Sequence, residues 1–498
     1  MIQYFEKAYQ KKSFRAAFFS ILFLIGALTV LTDIDVRPLQ NWDESLFAMR
    51  AYYLMNEGGI LSNFDYFEGY GYHPNVKPPF TTFLQAPIFH LLGYGELGLR
   101  LPIALLSVLC GLSLFLFARK ESGSPFGGLF AALVLFTSIG YVTLHVGRTG
   151  DQDVATAFYM LLMLMAFYRY HQHRESPKGR RYALFFGLAM AAAAFTKTIF
   201  AFFFLPAIAL FILFKKQLGW YLRHPLLIIV SMLVIGSYGG YVYLMDVLHP
   251  GYLDTYIHHA AGRFSVLVDN HIQEPPLFYF HNLFTDFVPW IYILPLGIFA
   301  LFRKELVKYH DLLLLTFLAM LTLLIVISIS KTKLHWYITP FYPVAALVTG
   351  LILEEMRVRT LEGQGNKARF LTVGVLLFAL FITPYQRVLA NNKTNNQEDD
   401  TNQRYTSIMK KLQQERPELK TYTIFAKPYT PSVSFFATLY NQKHGYNITV
   451  LDRPGPHEVG EQVLICLHSR NEDLQSRYEL QEEFERYGCV LYKVTGAR

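Results

Sequence analysis

The sequence predicts a mostly α-helical protein, a polytopic transmembrane bundle of about eleven spans followed by a small C-terminal α/β domain outside the membrane. Three observations lead there. Of 498 residues, 53% are hydrophobic and only 16% are charged, whereas soluble domains carry about 25% charged residues. Apolar runs close to the roughly 17–20 residues that cross a bilayer recur through the first 385 positions. Beyond position 388 the pattern changes to a polar stretch and then to short runs of β-branched and aromatic residues.

The apolar runs fall at 16–31, 99–118, 126–144, 154–170, 182–195, 199–214, 225–246, 287–302, 311–329, 337–353 and 369–385. Lys7, Lys11, Lys12 and Arg15 precede the first of them without a small-residue cleavage site after it, so the first run reads as an uncleaved helix that starts inside. Basic residues then recur in alternate loops, among them Arg119, Lys120, Arg180, Arg181, Lys215 and Lys216, which obeys the positive-inside rule. The same parity puts two long loops, about 32–98 and 247–286, outside together with the tail, and gives a membrane domain 1–387 and an extracytoplasmic domain 388–498. The net charge of +8 comes from these short loops, not from a basic stripe, which argues against a nucleic-acid partner.

In the tail, NNKTNNQEDDTNQR reads as a solvated linker, and TYTIF, NITVL, QVLICL and CVLYKV read as strands with helical stretches between them. Three cysteines are too few for a disulfide scaffold. Cys466 and Cys489 are read as buried free thiols, the alternative being a disulfide in an oxidising compartment.

Charges cluster at the outside ends of the spans. NWDESLFAMRAYYL opens on Asp43 and Glu44, which are either ordinary capping acids or members of a site. Two prolines follow Lys77 and stiffen its backbone; the lysine either snorkels or presents a cation at the surface. HVGRTGDQDVATAF brings Arg148, Asp151 and Asp153 to the mouth of a span, where they either pair to hold helices or face a ligand. Lys197 in FTKTIF, Arg263 in YIHHAAGRF, and Lys331 and Lys333 in SKTKLHWYITPFYP add cations on the same side. Acids and cations facing one compartment suit a phosphate-bearing substrate and a proton acceptor. The adjacent His258 and His259 are candidate ligands for a divalent metal.

The order of these motifs carries more than any one of them. A first span, a DE-containing loop helix, KPP, an R-T-x-D-x-D loop, a T-K, a GRF followed by PW, and SKTKL with Tyr337 and a YP together resemble the GT-C glycosyltransferases of the protein O-mannosyltransferase and lipid A aminoarabinose transferase type, over about residues 15–385. That resemblance implies a membrane enzyme of the bacterial inner membrane that moves a hexosyl or pentosyl group from a polyprenyl-phosphate donor, with inversion, to a lipid A-like, protein or polysaccharide acceptor on the periplasmic face. By motif, Asp43 matches the likely general base and Asp151 the first aspartate of the second acidic loop. Lys77 and Arg263 match positions that bind the carrier phosphate. Tyr337 matches a tyrosine near the donor pocket, beside Lys331 and Lys333; Glu44, Arg148, Asp153 and Lys197 are further site candidates. One departure is clear. Where such enzymes often have an acid directly before the KPP lysine, a candidate metal ligand, this chain has Val76, with His73 nearby.

No Walker-type or dinucleotide-binding loop is present, which agrees with a donor activated by its own lipid phosphate. The competing reading is a polytopic lipid or sugar transporter. It predicts mid-span charges and an internal repeat with broken helices, whereas the motif charges here gather at one interface and no repeat is visible.

Overall fold

The computed structural model describes residues 9, 11–56, 76–143, 145–267, 273–303, 307–361, 367–397, 401–426, 430–452 and 455–498. The chain divides into two compact units. The first gathers Met1–Thr32, Val76–Leu84 and Leu101–Lys393; the second gathers Asp33–Asn75, Gln85–Arg100 and Thr394–Arg498.

Among the described residues, six helices are long and apolar enough to cross a membrane: Lys12–Leu31, Glu96–Ser122, Pro177–Phe214, Leu226–Leu248, His310–Ile329 and Thr372–Lys393. A seventh candidate is the pair Phe278–Asp286 and Trp290–Phe302, bent by 111°. Leu226–Leu248 turns Met232 and Leu233 outward, 61% and 68% exposed, as expected of side chains whose solvent is lipid. Of two 21-residue helices, Asp153–His173 is instead buried along nearly its whole length and Phe341–Leu361 is buried from Phe341 to Glu354. Phe341–Leu361 packs on the short apolar helix Pro125–Phe136 at Gly350, where a Cβ would lie 2.3 Å from the Ala131 nitrogen. Lipid tails are as apolar as leucine, so such close backbone approach, not a hydrophobic drive, brings spanning helices together.

Several boundaries differ from the sequence reading. The runs at 182–195 and 199–214 join through a 3₁₀ segment, Thr198–Phe204, into one helical stretch of 38 residues. The run at 337–353 starts later, at Phe341, because His335–Ile338 form a 3₁₀ turn ahead of it. The supposed linker is largely helical: Lys367–Gln397 continues through NNKTNNQ, and a new helix runs Thr401–Glu415. Asn and Gln disfavour a helix only weakly, so propensity alone does not end one here.

The second unit contains a five-stranded sheet of β1 (Thr421–Phe425), β2 (Asn447–Leu451), β3 (Gln462–Ile465), β4 (Tyr478–Arg486) and β5 (Cys489–Ala497) in the order β2-β1-β3-β5-β4. β1 is parallel to β2 and β3; β5 is antiparallel to β3 and β4. The tail shares its core with the segment that follows the first span: Leu39, Met49, Tyr52 and Phe89 are buried in one cluster with Ile408, Tyr422, Ile424 and Phe435. Each such side chain contributes about 1.5–3 kcal/mol when fully buried.

Cys466 and Cys489 form a disulfide, which corrects their reading as free thiols. The register explains it. Ile465 pairs with Val490 across β3 and β5, so the next facing positions are Cys466 and Cys489.

Candidate functional site

Within the first unit, three sequence motifs meet. Lys197 ends the helix Pro177–Lys197, and Thr198 follows in the left-handed region at φ 56°. The Lys197 ammonium pairs with the Asp153 carboxylate and lies 5.2 Å and 5.4 Å from the ring centroids of Phe200 and Tyr337. A guanidinium nitrogen of Arg263 donates to the Tyr337 hydroxyl. Arg263 belongs to the 3₁₀ turn Gly262–Phe264, and the backbone of that turn is clamped by the SKT segment. The Arg263 carbonyl accepts from the Thr332 amide at 3.0 Å and the Ser330 hydroxyl at 2.7 Å, and the Val266 carbonyl accepts from the Thr332 hydroxyl at 2.8 Å. FTKTIF, GRF and SKTKLHWY thus form one arrangement of cations around a tyrosine.

Lys77 sits in a half-buried turn pinned to the same helices. The Tyr252 hydroxyl donates to the Val76 carbonyl at 3.3 Å, the Thr81 and Thr196 hydroxyls meet at 3.3 Å, and Phe80 packs edge-on against Tyr159 at 5.8 Å. Lys77 acts electrostatically on Asp153. The two SKTKL lysines diverge: Lys331 is exposed, whereas Lys333 is buried with its ammonium 3.5 Å from the Glu274 carbonyl, too long for a strong bond.

Asp151 is 2% exposed. It accepts from the Thr149 hydroxyl at 2.7 Å and lies 3.4 Å from His145, whose ring stacks on Trp336 at 4.2 Å. Arg148 is also buried and donates to the Val30 carbonyl at 3.1 Å, near the end of the first span. That contact satisfies one of the carbonyls a helix leaves open at its C-terminus. The acidic loop therefore divides its work: Asp153 takes Lys197, Asp151 takes Thr149 and His145, and Arg148 ties the loop to a neighbouring helix.

His258 and His259 lie on the π-helical segment Ile257–Ala261 with their rings edge to face at 5.4 Å. Among the described residues no three or more His, Cys, Asp or Glu side chains gather so as to hold a metal ion. His73 lies outside the described residues.

In the second unit, Asp43 is the first residue of the helix Asp43–Asn56 and is half-buried. Its neighbour Glu44 is fully buried. The Glu44 carboxylate accepts two bonds from the Arg100 guanidinium, at 2.7 Å and 2.9 Å, and one from the Gln40 backbone amide at 2.8 Å. Arg100 completes its fork on the carbonyls of Ile34, Arg37 and Pro38. Glu44, a site candidate in the sequence, is placed as the anchor of the loop that leads into the Asp43 helix.

Sequence reasoning passed over Arg100, His145 and the pair of Asp286 and His335. The imidazole of His335 lies 2.6 Å from the Asp286 carboxylate, which also accepts from the Tyr342 hydroxyl at 3.3 Å. The available signal was position, since His335 stands inside the SKTKLHWY motif and Asp286 just before PW. The hydrogen bond to Asp286 raises the His335 pKa above the ordinary 6.5, outweighing burial, which pulls it down. A raised folded-state pKa means that the protonated ring stabilises the fold; that contribution is complete below the unfolded pKa and is lost as pH rises through the raised value. The thermal midpoint of wild type should therefore exceed that of His335→Gln most at mildly acidic pH, with the gap closing as pH rises. A gap that stays constant with pH would contradict this linkage.

Residues 76–238 match the family model for dolichyl-phosphate-mannose-protein mannosyltransferase. The chain is 26% identical over 297 residues to an uncharacterized protein of Aquifex aeolicus, covering 57% of this chain and 54% of that one. It is 27% identical over 286 residues to an undecaprenyl phosphate-alpha-4-amino-4-deoxy-L-arabinose arabinosyl transferase of Edwardsiella ictaluri, covering 56% of this chain and 49% of the relative. The chain spans about half the length of the curated relatives it matches. Its fold is similar to the crystal structure of ArnT from Cupriavidus metallidurans bound to undecaprenyl phosphate, with a TM-score of 0.70 over 97% of this chain and 98% of that one; at 16% identity the likeness is one of fold. The resemblance to glycosyltransferases of the O-mannosyltransferase and aminoarabinose transferase type therefore holds, with an ArnT-like fold across the whole chain.

Proposed function

We propose that this chain is a membrane glycosyltransferase that moves a sugar from a polyprenyl-phosphate donor to a hydroxyl or phosphate of a lipid A-like, protein or polysaccharide acceptor. The observation that carries the reading is the convergence of Lys197, Tyr337 and Arg263 from three separate motifs, on a fold similar to that of a protein solved with undecaprenyl phosphate. The membrane is proposed as the bacterial inner membrane, crossed about eleven times, with Asp43 and the tail on the periplasmic side.

In this reaction an acceptor oxygen attacks the anomeric carbon from the face opposite the phosphate, and Asp43 takes the acceptor proton when that oxygen is a hydroxyl. The bond from the anomeric carbon to the phosphate oxygen breaks with its electron pair on that oxygen. Inversion follows from a single displacement. The departing phosphate gains negative charge, and Arg263 and Lys77 are proposed to hold it, with Lys197, Lys331 and Lys333 adding positive potential. Tyr337 orients the Arg263 guanidinium.

Arg263→Ala should weaken undecaprenyl phosphate binding to the detergent-solubilised chain by about tenfold or more, the worth of a lost charge-assisted hydrogen bond. Unchanged carrier affinity would remove Arg263 from the site. Release of sugar from a polyprenyl-phosphate donor, with transfer to an added acceptor, tests the reaction itself. Movement of an intact lipid-linked sugar across the bilayer without cleavage would instead favour a transporter.

A further inference from the structure

One face of the tail sheet changes character along its strands. On β1, Thr421, Thr423 and Phe425 alternate onto a single face, and the register pairs them with Asn447, Thr449 and Leu451 of β2. At the far end Phe425 is buried in a cluster with Ile465, Leu474 of the helix His468–Arg477, and partly buried Leu451. At the near end the apolar side chains give way to hydroxyls and an amide, and Thr421, Asn447 and Thr449 are exposed. A cavity of about 320 Å³ opens there, lined by Thr421, Thr423, Asn447, Thr449, Glu461 and Gln462 among others. Small-molecule sites begin near this size.

The Glu461 carboxylate is held in place. It accepts from the Thr423 hydroxyl at 2.7 Å and lies 2.8 Å from Nδ1 of His457, whose side chain is 1% exposed. Burial pushes the Glu461 pKa up, but the bonds from Thr423 and His457 outweigh it and hold the group below the usual value. The carboxylate is therefore ionised at neutral pH; Oε2 also accepts from the Glu458 amide at 3.3 Å, and Oε1, bonded to Thr423, keeps a second lone pair with which to accept. The His457 ring packs edge-on against Phe425 and Tyr478 at 5.2 Å and 5.5 Å, which fixes the imidazole that holds Glu461.

We propose that this cavity binds a saccharide unit, neutral or amino-substituted, and holds the acceptor of the transfer reaction. Among the described residues the lining contains no Lys or Arg, which disfavours a phosphate or an anionic headgroup. Its side chains are hydroxyl, amide and carboxylate, which disfavours an acyl chain. Neighbouring strands stand about 4.8 Å apart and same-face residues of one strand about 6.6 Å, a grid of donors and acceptors on the scale of the hydroxyls around one sugar ring. Glu461 would accept through Oε1 from one sugar hydroxyl or from an ammonium. That the bound saccharide is the acceptor rests on the transferase reading; saccharide binding itself does not.

The test is saturation-transfer NMR on the full chain in detergent with cellobiose and chitobiose as separate probes, and phosphorus NMR line broadening with inorganic phosphate, which has no carbon-bound proton to report. Wild type should give saccharide signals and no phosphate binding, and Glu461→Gln and Thr449→Val should each weaken saccharide binding by about tenfold, as expected on losing a strong hydrogen bond. Thr449 is exposed and valine keeps its β-branch, so that variant should melt as wild type does. Absence of saccharide signal in wild type, unchanged binding in both variants, or binding of phosphate in place of saccharide would overturn the proposal. Undecaprenyl phosphate binding in the same preparation separates the two readings: its loss with saccharide binding intact would sink the transferase and spare this site, and the reverse would spare the transferase.

Discussion

Asp43→Asn is expected to leave the chain folded and in the membrane while lowering sugar transfer by about a hundredfold or more, the usual cost of removing a general base. An acceptor hydroxyl holds its proton far above neutral pH, so attack on the anomeric carbon needs a carboxylate to take that proton as the new bond forms. Asparagine keeps the shape and hydrogen-bonding reach of the side chain and loses only the basicity. It also remains a good residue at a helix start, and Asp43 is the first residue of its helix, so stability should scarcely change. Carrier binding should also be untouched, because the charges proposed to hold the phosphate remain. Turnover in a solubilised preparation, measured beside undecaprenyl phosphate affinity and the thermal midpoint, separates these quantities. Near-normal turnover would sink Asp43 as the base.

The features legible in the sequence were those written in local periodicity. The run at 311–329 became His310–Ile329 and that at 225–246 became Leu226–Leu248, because a lipid-facing helix must be apolar along its own length. Four strands were visible for a similar reason: TYTIF, NITVL, QVLICL, of which QVLI is the strand, and CVLYKV alternate or concentrate β-branched residues. The fifth, β4, was not, since YELQEEFER is rich in glutamate and lies at the sheet edge, where charge discourages pairing with another chain. What escaped reading was pairing at a distance. Arg263 reaches a tyrosine 74 positions away, Glu44 an arginine 56 positions away, and Cys466 a cysteine 23 positions away. Each depends on which elements become neighbours, and residue type alone does not encode that. The motif order identified candidate residues on the cation side; which of them meet was a property of the fold.

Glu44→Ala should, by contrast with its neighbour, destabilise the chain by about 3–5 kcal/mol, the cost of breaking a buried ion pair by removing one partner. Arg100 is 1% exposed and Glu44 is fully buried, so the guanidinium left behind has no water to turn to. Three of its other bonds run to backbone carbonyls between Ile34 and Pro38; these orient the guanidinium and carry no charge of their own. The Gln40 amide loses its acceptor as well, which adds an unsatisfied buried donor. Glu44→Gln should fall between wild type and Glu44→Ala, because the amide oxygen still accepts from Arg100 while the negative charge is gone. Replacing both partners together, as Glu44→Leu with Arg100→Leu, should recover only part of the loss, because it removes the unpaired charge but leaves the Gln40 backbone amide and the three carbonyls without these partners. Thermal midpoints of the four proteins in one detergent check the series. If Glu44→Ala melts with wild type, the ion pair does not anchor this loop. If Glu44→Ala keeps its midpoint yet loses turnover, Glu44 belongs with Asp43 in the reaction and not in the scaffold beneath it.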